Sequence, residues 1–451
     1  MIWMDFLPLM MFGAMFVLLF SGYPVAFVLG GVAMGFAGIG MSVGMFHPAE
    51  FFNIVARIYG GVMQNYLLVA IPMFIFMGAL LDKSGIGDDL LSAFSHLLRK
   101  VPGGLGLSVT LLGTIMAATT GIVGASVVML TLLATPAMLS RGYAQSYTMG
   151  IIGAAGTLGI LIPPSIMLVL MADILQISAG KLFLSAVMPG LILAGFYAVY
   201  SVGIAVLRPE MAPRPSVADT EAFPIGRLMA SLLPVLTIVG LVLGSIATGL
   251  TSTTEAAGIG AFGALALVIL RRRMNGAVWR TTLSSSGQIN GMLFMIFFGA
   301  AAFSYVFRAL GGDFMVEDLL LAGDRSAWKV LFFMLLGAFV LGFFFEWIEI
   351  CLILLPIYVP IIGQLDFGAH VGRSDVALWM GALFAVNLQT SFLTPPFGIS
   401  LFYMRGVAPE GVSLRAIYIG VIPFVLIQLC VLGGLVAFPQ IALWLPHALL
   451  D

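Results

Sequence analysis

Two long apolar stretches of the sequence, 143–175 and 375–404, each contain a Pro-Pro dipeptide. Proline lacks the amide donor and clashes with the preceding helical turn, so a helix that holds two prolines must open. Opening frees backbone carbonyls, which suit Na⁺, and creates a half-helix N-terminus, which suits an anionic group. A structural kink lined by neighbouring helices is the alternative. We interpret the following residues as helix-break and substrate-binding positions: Pro163, Pro164, Ser165, Asn387, Pro395, Pro396 and Gly398.

A patch of small polar residues interrupts the apolar region 104–140 near its middle. It comprises Thr119, Thr120, Gly121, Gly124 and Ser126. If 104–140 folds back on itself as a helical hairpin, this patch faces the first break. Such residues are also common helix-packing contacts in membranes, and that interpretation stays open.

The apolar region 328–362 carries two carboxylates at the equivalent place. Glu346 and Glu349 are three residues apart and therefore lie on one face of a helix. Because a carboxylate in lipid is costly, an acidic residue at membrane depth is a functional hypothesis by default. The pair is predicted to bind a cation, with Glu349 a candidate gating residue. Alternatively it is structural and meets backbone donors or Arg308.

The composition indicates which kind of protein must position these groups. Hydrophobic residues make up 61% of the 451 residues and charged residues only 9%, too few to cover a water-facing surface. A formal net charge of −1 excludes the basic excess of a nucleic-acid binder. The chain also lacks a phosphate-binding loop of the Walker type, and its four histidines lack metal-ligand spacing. We therefore predict an all-α protein that crosses a lipid bilayer many times.

Hydropathy and the two interrupted regions give the order of elements. We predict re-entrant hairpins at 104–140 and 328–362, although two thin complete spans in each region would give a similar profile. Each half of the chain, 1–207 and 228–451, then has five spans and one hairpin, joined by the polar loop 208–227. An odd number of crossings inverts the second half, which is the inverted-repeat plan of secondary transporters. The predicted spans are 6–20, 25–44, 66–81, 143–175, 182–207, 228–250, 254–270, 288–308, 375–404 and 413–437.

Basic residues orient this arrangement. With both termini on one face, thirteen of the 19 Lys and Arg residues fall on the opposite face and six on the termini's face. Cytoplasmic loops carry the excess of basic residues. The termini are therefore predicted to be periplasmic, the loop 208–227 to be cytoplasmic, and the first hairpin to open from the cytoplasm and the second from the periplasm.

Four stretches of the sequence resemble the large membrane subunit of tripartite ATP-independent periplasmic (TRAP) transporters, and the resemblance covers essentially the whole chain. These stretches are TGIVGASVVMLTLLATPAMLSRGY (120–143), GTLGILIPPSIMLVLMAD (156–173), FEWIEICLILLPIYVPI (345–361) and NLQTSFLTPPFGISLFYMRGVAP (387–409).

The resemblance implies a Na⁺-coupled importer of the bacterial inner membrane that works as an elevator, in which a module of hairpins and broken helices slides against a fixed scaffold. It also implies a small four-helix membrane subunit and a periplasmic substrate-binding protein as partners. Na⁺ is the coupling ion, with no other cofactor and no enzymatic activity. Each Na⁺ site would lie between a hairpin tip and a broken helix. Carried over by motif, the first site comprises Thr119, Thr120, Gly121, Gly124, Ser126, Gly156 and Thr157, and the second comprises Glu346, Gln389, Thr390 and Thr394.

The motifs favour a small organic anion as substrate, either a 2-oxo acid or related monocarboxylate, or a C4-dicarboxylate. H⁺-coupled transport and passive anion permeation stay open as alternatives. An intramembrane enzyme is disfavoured because no nucleophile or metal triad accompanies the two glutamates.

Overall fold

Every regular element of the described chain is helical. The computed structural model describes residues 6–120, 123–213, 225–321, 326–395 and 398–450. The helices of the first half are α1 (Leu7–Phe20), α2 (Val25–Ser42), α3 (Glu50–Ile58), α4 (Ala70–Lys83), α5 (Ile86–Leu97), α6 (Gly104–Thr120), α7 (Val123–Leu139), α8 (Gln145–Thr157), α9 (Ile166–Ile174) and α10 (Ala179–Leu207). Those of the second half are α11 (Ile225–Ala247), α12 (Thr253–Leu270), α13 (Gly276–Ala309), α14 (Gly312–Leu321), α15 (Ala327–Leu341), α16 (Trp347–Ile362), α17 (Val376–Leu393), α18 (Ile399–Val407), α19 (Leu414–Ala437) and α20 (Gln440–Leu450).

Six helices within the described residues are long and apolar enough to cross a bilayer: α2, α10, α12, α13, α17 and α19. A seventh candidate is bent by 58° between Glu50–Met63 and Leu67–Lys83, so the predicted span 66–81 is only its second limb. A π-helical turn, Tyr59–Met63, ends the first limb. Beyond the bend, the Asn65 side chain accepts the Leu67 N–H at 3.0 Å, which satisfies a donor at the start of the second limb.

The structure confirms that both Pro-Pro stretches are broken helices. In the first, α8 ends at Thr157, a 3₁₀ turn follows over Leu158–Ile160, and α9 starts at Ile166. In the second, α17 ends at Leu393 and α18 starts at Ile399. The regions 104–140 and 328–362 are each two helices joined by a short connection. The first connection, 121–122, lies outside the described residues, as do Pro396 and most of the loop 208–227.

The first limbs of the broken helices form the centre of the protein. Helix α17 is buried along its whole length, and α8 is buried from Tyr147 to Thr157. Both are mostly apolar, as a helix covered on all sides must be, and the buried polar side chains of α17 cluster near its C-terminal end. Glycines allow the closest approach, since a Cβ at Gly150 would overlap the Gly420 carbonyl of α19 and one at Gly420 would overlap the Ser146 carbonyl of α8.

Four short helices were not expected from hydropathy: α3, α5, α14 and α20. They are too short or too polar to give a hydropathy peak, and tertiary contacts fix them instead. Arg273, just beyond α12, donates to Asp89 of α5 at 2.7 Å and to the Ser84 carbonyl at 2.9 Å. His447 of α20 lies 3.1 Å from Asp375, at the start of α17.

The α8–α19 contact gives a stability prediction. Gly420→Ala should lower the free energy of unfolding by about 1–3 kcal/mol, the usual cost of overpacking, because the new methyl group collides with backbone that cannot move aside. The measurement is the thermal midpoint of the detergent-solubilised protein. Gly433→Ala on the same helix is the matched control, since no atom lies within 4 Å of its Cβ position. Equal midpoints for the two variants would contradict this account of the packing.

Candidate functional site

The N-termini of four helices line one small cavity. Helices α7 and α16 are the second arms of the two hairpins, and α9 and α18 are the second limbs of the two broken helices. The cavity has a volume of about 30 Å³, roughly the share of one water molecule in the liquid. Residues from all four N-termini, together with one side chain from further along α18, line it: Gly124, Ile166, Glu346, Ile399, Ser400 and Tyr403.

Four converging N-termini make this cavity electropositive at the backbone level. The first turn of a helix presents N–H groups without intrahelical acceptors and the positive end of the helix dipole. Within the described chain, the N-cap residues of α9, α16 and α18, which are Ser165, Glu346 and Gly398, make no side-chain cap hydrogen bond. In α16 the Glu349 carboxylate accepts from the backbone N–H groups of Glu346 and Glu349 instead, so the free donors are those of the other helices. The buried Ser400 hydroxyl has no hydrogen-bond partner among the described residues. Backbone and side-chain donors are therefore available to an anion at this point.

A larger cavity of about 580 Å³ adjoins the small one. It lies between the start of α2, the middle of α13, the tip of the second hairpin and α18. Met292, Glu346, Ile399 and Tyr403 line both cavities. Ligands of organic-acid size can therefore occupy the larger cavity beside the four N-termini.

A hydrogen bond joins two of the residues that line both cavities. The Tyr403 hydroxyl donates to Glu346 Oε1 at 2.5 Å and joins α18 to the second hairpin. The same tyrosine ring packs on the first hairpin, because a Cβ at Gly124 would lie 2.9 Å from it. Sequence reasoning missed Tyr403, although a tyrosine in an apolar helix just after the second break was the available signal.

Glu349 is buried, and its Oε2 has no hydrogen-bond partner among the described residues. It lines the larger cavity together with Glu346. The structure does not support the alternative in which Arg308 pairs with these glutamates. Arg308 instead lies 3.5 Å from Asp313 and donates to the Pro356 carbonyl at 2.5 Å.

The structure brings part of the first predicted ion site together. Gly156, in the last turn of α8, packs directly on the second arm of the first hairpin, where its Cβ would lie 2.7 Å from the Val127 side chain. Ser126 and Thr157 are both buried, and the Thr157 hydroxyl donates to the Ala154 carbonyl at 3.0 Å. Its lone pairs stay available to a cation. Gly121 and the side chains of Thr119 and Thr120 lie outside the described part of the chain.

The second predicted ion site contains an unsatisfied amide. Gln389 is fully buried, and neither of its side-chain polar atoms has a partner in the described chain. The Thr390 hydroxyl donates to the Val386 carbonyl and the Thr394 hydroxyl to the Thr390 carbonyl, both at 2.8 Å. Each of these side chains retains oxygen lone pairs, which is the chemistry that Na⁺ needs.

Several predicted break residues have structural contacts. Asn387 donates to the Leu335 carbonyl at 2.8 Å and joins α17 to the second hairpin, and Ser165 donates to the Ile160 carbonyl at 2.6 Å. A Cβ at Gly398 would lie 2.5 Å from the Phe392 carbonyl, so only glycine fits there. Neither Pro163 nor Pro164 lines the two cavities, and Pro395 does not either. The prolines interrupt the helices, and residues near them in the chain, Ile166 and Ile399, line the cavities.

Comparison with known proteins gives matches along almost the whole chain. The family described as "Tripartite ATP-independent periplasmic transporter, DctM component" matches residues 12–441. The chain is 30% identical to the C4-dicarboxylate TRAP transporter large permease protein DctM of Pseudomonas aeruginosa, over 92% of this chain and 94% of that protein. It is 29% identical to the ectoine/5-hydroxyectoine TRAP transporter large permease protein UehC of Ruegeria pomeroyi, over 96% and 97%.

Among solved structures, the YdaH transporter of Alcanivorax borkumensis has the same fold. The TM-score is 0.58 with 15% sequence identity, and the match covers 88% of each chain. At this identity the likeness concerns the fold alone.

The Tyr403–Glu346 bond predicts a measurable coupling. Tyr403→Phe and Glu346→Gln should each lower the thermal stability, and the double variant should lose less than the sum of the two. Tyr403→Phe removes a hydrogen bond to a charged group worth about 1.5–3 kcal/mol, and Glu346→Gln weakens the same bond by making its acceptor neutral. Unfolding of all four proteins in detergent completes the cycle. Tyr59→Phe, at an exposed tyrosine of the bent element, is the control and should have no effect. Strictly additive losses would show that the bond contributes nothing.

Proposed function

The chain belongs to the DctM-component family of tripartite ATP-independent periplasmic transporters, and from this membership we propose that it imports a small organic anion driven by Na⁺. It is a multi-pass membrane permease and not an enzyme. The transport system has three parts, so the permease works with a small membrane subunit and a periplasmic substrate-binding protein.

The convergence of four helix N-termini on one cavity carries the proposal for an anionic substrate. Backbone N–H groups at a helix start bind carboxylates without a basic side chain, and neither Lys nor Arg is among the described residues that line the two cavities. The substrate class is a 2-oxo acid, a related monocarboxylate or a C4-dicarboxylate. The C4-dicarboxylate permease of P. aeruginosa supports the last of these.

Na⁺ coupling follows from the carboxylates beside this site. Glu346 lines both cavities and Glu349 lines the larger one, so an incoming anion meets negative charge. A cation bound between Glu346 and the oxygens of Gln389, Thr390 and Thr394 offsets that charge and favours anion binding. The site formed by Ser126, Gly156 and Thr157 holds a second Na⁺ at the other hairpin. In this scheme Glu349 contributes to gating.

The packing of helices supports an inverted repeat and an elevator movement. Helix α2 packs on α13 and α4 on α12, α8 packs on α19 and α10 on α17, and α7 packs on α18 and α9 on α16. In each of these three couples, one contact becomes the other when every helix is replaced by the helix at the corresponding position in the other half. For example, α2 on α13 becomes α12 on α4. We propose that the hairpins and broken helices form the moving module, and that α1–α4 and α11–α13 form the scaffold that binds the small four-helix subunit.

A transport assay tests the coupling. Proteoliposomes that contain this chain, its small subunit and the loaded binding protein should accumulate radiolabelled succinate or pyruvate only under an inward Na⁺ gradient. Thr157→Ala and Thr394→Ala should each shift the Na⁺ dependence to higher concentration by about tenfold, since each removes one oxygen ligand. Initial uptake rates against Na⁺ concentration give the shift.

The matched control is Thr237→Ala. Its hydroxyl donates to the carbonyl four residues earlier, as that of Thr394 does, but it lies on the exposed face of α11. This variant should keep the parental Na⁺ response. Uptake that persists when the Na⁺ gradient is abolished would refute the coupling and favour H⁺ drive or passive permeation.

The proposed orientation places both termini in the periplasm of an inner-membrane protein. A single cysteine replacing Arg272 should react with a membrane-impermeant maleimide only after the cells are opened, because the basic loop after α12 is cytoplasmic. Cysteine replacing His370, in the loop before α17, should react in intact cells. The reverse pattern of labelling would overturn the orientation.

A further inference from the structure

A third cavity, of about 210 Å³, lies toward the ends of α9, α13 and α16 that are remote from the hairpin tip. One side consists of the bent element 57–68 and α13, and the other consists of α9 and the second hairpin. The site between the hairpin tips shares none of its lining residues. Its polar and charged lining is Arg57, Asp173, Ser304, Tyr305 and Arg308.

One of the two arginines that line this cavity, Arg57, has no partner among the described residues. Two guanidinium groups face one carboxylate, Asp173, and that carboxylate already accepts the Asn65 amide at 2.7 Å. Arg308 lies 3.5 Å from Asp313 and donates to the Pro356 carbonyl at 2.5 Å, which leaves its remaining N–H groups to a ligand. Arg57 forms no ion pair or hydrogen bond with any part of the chain that the structure describes. An exposed guanidinium therefore borders the cavity with its donors unused.

The neutral groups add a directed donor. Tyr305 accepts a hydrogen bond from the Asn53 amide at 2.9 Å, which fixes the ring and leaves the phenolic O–H to donate. Phe297, Leu170 and Leu352 form an apolar part of the same lining. Two guanidinium groups and a hydroxyl donor in such a recess match a carboxylate, which guanidinium binds in a bidentate manner.

We propose that this cavity is an entry site, where Arg57 and Arg308 bind a carboxylate of a small organic acid before it reaches the four helix N-termini. The inference rests on the proposed anion import and adds a second binding position to it. The volume of about 210 Å³ leaves room for a three- or four-carbon acid. One wall belongs to the proposed scaffold and the other to the proposed moving module. The elevator movement therefore separates the two walls and releases the bound acid.

Charge-selective labelling tests the entry site. Ser304→Cys in a Cys430→Ser background provides a thiol within the cavity of the full-length chain, and Cys351 is buried. The thiol should react faster with a sulfonate-bearing methanethiosulfonate than with a trimethylammonium-bearing one, when each rate is taken relative to that reagent's rate with a small free thiol. Arg57→Gln should lower this ratio of rates by about tenfold, the usual scale for charge focused in a cleft, and Arg57→Lys should retain it. Lys329→Gln, at a basic residue outside the cavity lining, is the matched control.

Protection identifies the ligand. Potassium succinate and potassium pyruvate, at an ionic strength matched with potassium chloride and without Na⁺, should slow the labelling of Ser304→Cys by at least threefold. The protection should disappear in Arg57→Gln and in Arg308→Gln. Unchanged thermal midpoints would show that loss of protection does not reflect misfolding, and Arg57→Gln alone decides the outcome if Arg308→Gln unfolds.

The lipid environment distinguishes a soluble acid from a phosphate headgroup. Protection by succinate or pyruvate in nanodiscs of phosphatidylcholine supports the proposal, whereas protection only by added phosphatidylglycerol would overturn it. Equal rates for the two reagents would also overturn it, even if Na⁺-driven uptake is intact. If succinate or pyruvate protects the thiol in a protein that shows no Na⁺-dependent uptake, the proposed Na⁺ coupling is refuted and the entry site is supported.

Discussion

The structure depends on one constraint, which is that backbone polar groups at membrane depth must be covered by protein or water. Two helices are opened by Pro-Pro dipeptides, and each opening exposes carbonyls and N–H groups that lipid cannot satisfy. The chain resolves this by burying α8 and α17 at its centre and wrapping them with the two hairpins and with α10 and α19. The irregular backbone of the first break, 158–165, is thereby confined to the interior.

The same constraint creates the cavity that we propose as the binding site. A helix that opens inside the protein gives a new N-terminus, and a hairpin that turns inside the protein gives another. Four of these N-termini meet beside Ser400, Tyr403 and Glu346. The partial positive charge comes from backbone and the negative charge from two glutamates, which is the basis of our proposal that binding of an anion and of a cation at this place favour each other.

Much of the local structure was predictable because its causes are local. The Pro-Pro dipeptides break their helices wherever the chain runs, and polar interruptions of apolar regions mark the hairpin tips. The contacts among these elements were not predictable. Tyr403 and Glu346 are 57 residues apart, and nothing in their spacing shows that they share a hydrogen bond. The same holds for Arg308, which meets Asp313 and the Pro356 carbonyl rather than the glutamates.

The sequence by itself determined that this is a helical membrane protein with two broken helices and two hairpins, because composition and proline act residue by residue. Its motifs also sufficed to predict the transporter family. Only the tertiary structure decided which side chains share a cavity, and that the short helices α3, α5, α14 and α20 exist. Arg57 and Arg308 lie 251 positions apart in the chain and line one recess only because α3 packs against α13. Such proximity is a property of packing, which no local pattern encodes.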